Sequence, residues 1–214
     1  DSFALGVAVM LAFNVVQRLI GLGRNFGFCQ FLTDDELGHW ALANSFFIIG
    51  VPLAVLGLPG SFGKFVEHFR SRGCLGDYVF RILIVSGIGI GLLAIALFSF
   101  PNQFAWTIYG EIAPMRVIAW TALTLLAVTI FNVVYELVIA LRLSRVSSSM
   151  QFIQSAGFAV IGMGGIAYTR SWEILLPSYA LACLLGAIPG IASVFLGRES
   201  DMKRTKTLTH SSMW

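Results

Sequence analysis

Two arginines stand inside the first long apolar run of the chain, Arg18 and Arg24. At 100° per residue they share an arc of roughly 120° with Asn14, Gln17, Gly21 and Asn25. Apart from Cys29 and Gln30 near its end, the rest of that helix is Phe, Leu, Val, Ile, Met, Ala and Gly. An arginine near the centre of a bilayer costs about 2.5–3.5 kcal/mol even on the lenient insertion scale. The polar arc is therefore expected to line a water-filled cavity or to meet buried partners. Guanidinium forks in such a cavity suit phosphate or carboxylate oxygens. For Arg24, late in the helix, snorkelling to the interface is the competing reading.

A second polar stripe runs through Thr129, Asn132 and Glu136, spaced three and four apart, with Thr121 and Thr124 on the same side. Glu136 is the one carboxylate well inside an apolar run. Three roles fit it: balancing Arg18 or Arg24, binding a coupling proton or cation, or lying solvated at a helix end six residues before Arg142. Asn44 and Ser45 form a weaker pair, for which helix–helix hydrogen bonding is the default.

Chemistry that breaks bonds finds little support. His39 and His68 have no Ser, Cys or Asp at a recognisable catalytic spacing. Cys29, Cys74 and Cys183 are scattered, odd in number and without metal-ligand spacing, so neither a disulfide framework nor a zinc site is expected. No catalytic residue, metal or cofactor is assigned. The polar groups suit binding an anionic, amphiphilic cargo.

The elements that must position these groups follow from composition. Of 214 residues, 57% are hydrophobic and 12% charged, roughly half the 25% charge of an average soluble domain. Mean hydropathy is +0.83. Such a chain cannot clothe a water-facing surface, which excludes a soluble enzyme, and it is too apolar for disorder. A net charge of +3 gives no reason to expect nucleic acid as a partner. No cleavable signal peptide is evident.

Apolar runs long enough to cross a bilayer, the first interrupted by Arg18 and Arg24, predict six transmembrane helices. They cover Phe3–Leu32, His39–Gly60, Val79–Phe100, Val117–Leu141, Met150–Thr169 and Ile174–Gly197. None has the alternation of a β-barrel strand. Lys64, Arg70, Arg72, Arg81, Arg142, Arg145, Arg198, Lys203, Arg204 and Lys206 fall on one side, against Arg116 and Arg170 on the other. That asymmetry puts both termini in the cytoplasm. Trp40, Trp106 and Trp172 fall where an outer aromatic belt is expected. Pro101 and Pro114 flank an outer loop. Gly87 with Gly91, and Gly186 with Gly190, have GxxxG spacing, read as close helix packing or, alternatively, a dimer face.

Two stretches then carry a resemblance. RLIGLGRNFGFCQFLTDDELGHWALANSFF (18–47) and GLPGSFGKFVEHFRSRG (57–73) resemble the opening of O-antigen and teichoic-acid type polysaccharide export proteins. These are flippases of the multidrug/oligosaccharidyl-lipid/polysaccharide (MOP) superfamily. Leu32, Glu36 and Gly38 match an outer-loop pattern L-G-x-x-E-x-G, and Gly57, Leu58 and Pro59 match the end of the second helix. Thr33 replaces the usual Gly, and Lys64 stands where an Arg is frequent. Arg18 and Arg24, with Gly21 between them, are also similar to the cavity arginines of the lipid II flippase branch, which usually has Asp where this chain has Asn25. Beyond residue 80 the likeness is one of span spacing and loop charge.

The resemblance implies an all-α polytopic membrane protein: six transmembrane helices forming one lobe of a two-lobe MOP/MATE-like transporter. Residues 1–197 would be the N-terminal lobe, and 198–214 a basic cytoplasmic linker leading to a missing C-terminal six-helix half. The expected function is translocation of an undecaprenyl-pyrophosphate-linked saccharide across the bacterial cytoplasmic (inner) membrane during polysaccharide biosynthesis. Asn14, Gln17, Arg18, Arg24 and Asn25 would bind this lipid-linked oligosaccharide, with Asn132 and Glu136 coupling or balancing charge. The alternatives are a multidrug antiporter or lipid II flippase on the same fold and, from another class, a membrane-embedded glycosyl or acyl transferase.

Overall fold

The computed structural model describes residues 2–54, 75–110 and 113–211. The expectations for Gly57, Leu58, Pro59, Lys64, His68, Arg70, Arg72 and Cys74 lie outside them, as do the side chains of Asn14 and of the basic residues 198–206. The described residues are helical, with no strand among them. We number the helices α1 (Ser2–Phe31), α2 (Asp34–Ala54), α3 (Leu75–Ser99), α4 (Pro101–Tyr109), α5 (Met115–Ala140), α6 (Ser144–Thr169) and α7 (Leu175–Ser211). A 3-10 turn, Trp172–Ile174, precedes α7.

Six of these helices fall on the six apolar runs. Three segments among the described residues are long and apolar enough to cross a membrane: Met115–Ala140, Ser144–Thr169 and Trp172–Val194. A fourth is counted if Gly87–Ala96 and Pro101–Tyr109 form one span bent by 95°. The segment after Pro101 is thus a helix and not a plain loop. Proline at the first helical position starts it, and Gly110, at φ 74°, closes it with its N–H donating to Trp106 O. No helix break marks the boundary at residue 197, since α7 continues to Ser211.

Turn chemistry explains several helix ends. Thr33 and Glu36 form a reciprocal capping box at the start of α2: Thr33 N–H donates to Glu36 Oε2 at 3.0 Å, and Glu36 N–H donates to Thr33 Oγ1 at 3.4 Å. Arg142 and Arg170 take the left-handed conformation, φ 59° and 49°. They end α5 and α6 where glycine is the commoner choice.

Packing follows chain order only in part. Helix α7 lies along both α6 and α5, and α1 packs along α6, whereas α1 and α2, neighbours in sequence, barely touch. Gly186 and Gly190 make the α7 contacts possible. A Cβ at 186 would stand 2.8 Å from Gln154 Cβ and 3.0 Å from the Met150 carbonyl oxygen; one at 190 would meet Met150 Sδ and Val134 Cγ1 at 2.6 Å. Gly87 and Gly91 instead meet nothing within 4 Å among the described residues. The two GxxxG pairs therefore part company: one is internal packing and the other meets no packing partner among the described residues.

Two apolar clusters form the core. The larger joins α2, α4, α5 and α7 through Phe47, Ile108, Phe131, Val138 and Leu176; the smaller joins α1, α6 and α7 through Phe28, Phe158, Ile166 and Leu175. Trp40, Trp172 and Tyr179 pack against both. Trp40 and Trp172 are thus half-buried linkers of the core, and of the three expected belt tryptophans Trp106 alone is well exposed. Leu19, Phe26, Ile48, Ile49, Leu184 and Ile188 are exposed apolar side chains, a surface suited to lipid and not to water.

Candidate functional site

Because α1 leaves α2 and follows α6, a cleft opens between α1 and α2. Its floor is the inward face of α6 and α7. A cavity of about 640 Å³ lies there, bordered by Arg24, Asn25 and Phe28 from α1, Trp40 and Asn44 from α2, Gln154, Ser155 and Phe158 from α6, and Tyr179 from α7. A second cavity of about 380 Å³ adjoins it, lined by Gln17, Arg18, Phe131, Gln151, Gln154 and Ser155. Gln154 and Ser155 border both. Two turns of α1 thus bring four of the five expected binding residues, Gln17, Arg18, Arg24 and Asn25, to one continuous groove; the side chain of Asn14 lies outside the described residues.

The two arginines differ in their surroundings. Arg18 is exposed. Arg24 is half-buried, its guanidinium carbon 4.6 Å from the centroid of the Phe158 ring and 5.9 Å from that of Phe28. Its Nε is buried without a hydrogen-bond partner among the described residues. The aromatic faces offset part of the cation's desolvation, which makes this a packed arginine and not one snorkelling away from the protein. No carboxylate is among the described residues that border either cavity, so neither guanidinium meets one there.

The stripe on α5 has another fate. Thr121, Thr124 and Thr129 are buried, and each hydroxyl donates to the carbonyl four residues back. Thr124 Oγ1 also lies 2.9 Å from Leu176 O, and Thr121 Oγ1 lies 2.7 Å from Tyr109 Oη, tying α5 to α7 and α4. Asn132 Nδ2 donates to Val128 O at 2.8 Å. Glu136 is half-buried, and neither it nor Asn132 borders the two cavities. The arginine arc and the carboxylate stripe are not brought together.

Sequence reasoning passed over the opposite wall. Gln151, Gln154 and Ser155 recur at three and four residues on α6, the same signal that marks α1, but no charge draws attention to them. Gln154 Nε2 lies 3.9 Å from Cys183 Sγ. Asn44 borders the larger cavity, while Ser45 Oγ donates to Ala41 O at 2.8 Å within its own helix. His39 stacks on Trp172 with ring centroids 5.3 Å apart.

Chemically the groove offers two guanidinium groups, several amides and two hydroxyls, those of Ser155 and Tyr179, and among its described lining residues no carboxylate. It favours an anion in a partly dry, low-dielectric setting. Among the described residues, no three His, Cys, Asp or Glu side chains gather as metal ligands. Comparison with protein-family models, with curated proteins and with solved structures finds no match to this chain.

Proposed function

We propose that this chain is a six-span lobe of a membrane flippase for an anionic, lipid-linked saccharide, an undecaprenyl-pyrophosphate glycan of the bacterial cytoplasmic membrane. The observation that carries the reading is the groove. Gln17 and Arg18 border one, and Arg24 and Asn25 the other, of two adjoining cavities between helices of an otherwise apolar chain. Arg18 holds the pyrophosphate, Arg24 lines the path of the saccharide beside it, the lipid tail stays in the bilayer, and the saccharide crosses through the groove. A second six-helix body completes the opposite wall, and rocking of the two exposes the site to each side in turn. Both termini lie in the cytoplasm.

A multidrug antiporter is the nearest competing function. Cationic drugs need a carboxylate at the site, and the described lining residues supply arginines instead; Glu136 stands apart from them.

The test is translocation in proteoliposomes containing the transport-competent assembly and a fluorescent undecaprenyl-pyrophosphate oligosaccharide. Arg18→Ala and Arg24→Ala are expected to insert normally, because removing a charge lowers the insertion cost. Each should slow translocation by about tenfold or more, the loss of one charge-assisted contact to the cargo. Full rates in both variants would remove the groove from the mechanism.

A further inference from the structure

The larger cavity has a wall that binding an anion does not require. Trp40, Phe158 and Tyr179 converge on it from α2, α6 and α7. Their ring centroids are 5.2 Å apart for Trp40–Phe158, 4.8 Å for Phe158–Tyr179 and 5.7 Å for Trp40–Tyr179, the last pair edge-on at 83°. Phe158 is buried, 1% exposed, with Arg24 over its ring, so the aromatic surface open to the cavity is that of the half-buried Trp40 and Tyr179, backed by Phe158. Beside it stand three neutral amides, Asn25, Asn44 and Gln154, each with both a donor and an acceptor. The one charge here, Arg24, lies over Phe158.

We propose that the larger cavity is a glycosyl subsite, taking one or two uncharged pyranose rings, while the anionic group of the same ligand sits in the smaller cavity at Arg18. The assignment rests on the flippase reading and divides its cargo between the two chambers. A pyranose has a face of polarised C–H bonds, which meets the electron-rich face of an aromatic ring. Its vicinal hydroxyls are paired donors and acceptors, which amides match and a lone cation does not. A volume of about 640 Å³ lies within the range of small-ligand sites, about 300–1,000 Å³. Arg18 and Arg24 are six residues apart, about 9 Å along the helix axis. Anion and ring therefore occupy successive positions along the groove, as a phosphate and the sugar attached to it must.

The experiment uses the 214-residue chain in nanodiscs and two probes. One is a panel of neutral disaccharides (chitobiose, cellobiose, mannobiose), followed by saturation-transfer NMR and tryptophan fluorescence. The other is inorganic pyrophosphate, followed by calorimetry. At least one disaccharide is expected to bind and to perturb tryptophan emission. Trp40→Phe and Asn44→Ala should weaken that binding by about tenfold and leave pyrophosphate binding intact. Arg18→Ala should do the reverse. Asn44→Ala guards against misfolding, because Trp40 also packs against both cores. Binding of no disaccharide, or sugar binding indifferent to Trp40→Phe and Asn44→Ala, or sugar binding lost with Arg18→Ala alone, would overturn the subsite. Pyrophosphate binding without sugar binding would sink the subsite and leave an anionic cargo standing. Sugar binding with no translocation by the complete assembly would sink the flippase reading and leave the subsite.

Discussion

At the scale of single residues, type alone misleads about role. Arg18 and Arg24 carry the same charge on the same helix, yet one is exposed in the smaller cavity and the other lies against Phe158. Glu136 attracts attention as an intramembrane carboxylate, but it borders neither cavity. Glu36 shows the opposite case. In the sequence it matches an outer-loop pattern, and in the fold it serves the backbone, satisfying the Thr33 N–H while Thr33 caps Glu36. Thr33→Ala should therefore destabilise the protein by about 1 kcal/mol, the usual loss of an N-cap. Thr33→Ser should retain most of that stability. Unfolding in detergent, followed by circular dichroism, measures both; an unchanged midpoint for Thr33→Ala would mean that the box contributes nothing.

At the scale of elements, identical small-residue spacing yields two different surfaces. Gly186 and Gly190 lie where α7 approaches α5 and α6, with the Met150 carbonyl 3.0 Å from a Cβ at 186. A main-chain oxygen has little room to retreat, so Gly186→Ala should destabilise by about 1–3 kcal/mol through overpacking. Gly87 has open space around it among the described residues. There the same change should stabilise by about 0.5–1 kcal/mol, because alanine restricts the unfolded chain and favours helix. Thermal unfolding of the two variants in one detergent supplies the comparison. Equal effects, or a reversed order, would contradict the packing of α7 between its neighbours.

At the scale of the whole molecule, the loop charges and the helices make a joint prediction about topology. Ten Lys and Arg residues fall on one side of the expected topology and two on the other, which predicts the orientation, and six long helices fall on the six apolar runs. Single cysteines at residues 35, 68, 107, 146, 171 and 205, on a background without Cys29, Cys74 and Cys183, should label alternately outside and inside, beginning outside. Residue 107 is the most informative position, because Gly87–Ala96 and Pro101–Tyr109 are joined at a 95° bend. Labelling of 107 from the cytoplasm would require that bent pair to stop short of the outer face, and the six-span reading would fail.

The helices and the polar arc of α1 were legible in the sequence because both depend on local geometry. Twenty or more apolar residues imply a span, and a rotation of 100° per residue puts Gln17, Arg18, Arg24 and Asn25 on one side whatever that side faces. What faces what was not legible. Every helix of an apolar chain has the same period, so periodicity contains no record of which neighbour each stripe will meet. Only the tertiary structure turned the α5 threonines inward to α4 and α7, separated Glu136 from the arginines, and set α1 along α6 instead of α2. The cleft left by that choice gathers Trp40, Phe158 and Tyr179 from three distant stretches of chain. Each is an ordinary apolar residue of its own helix, and only packing between the helices makes them a wall.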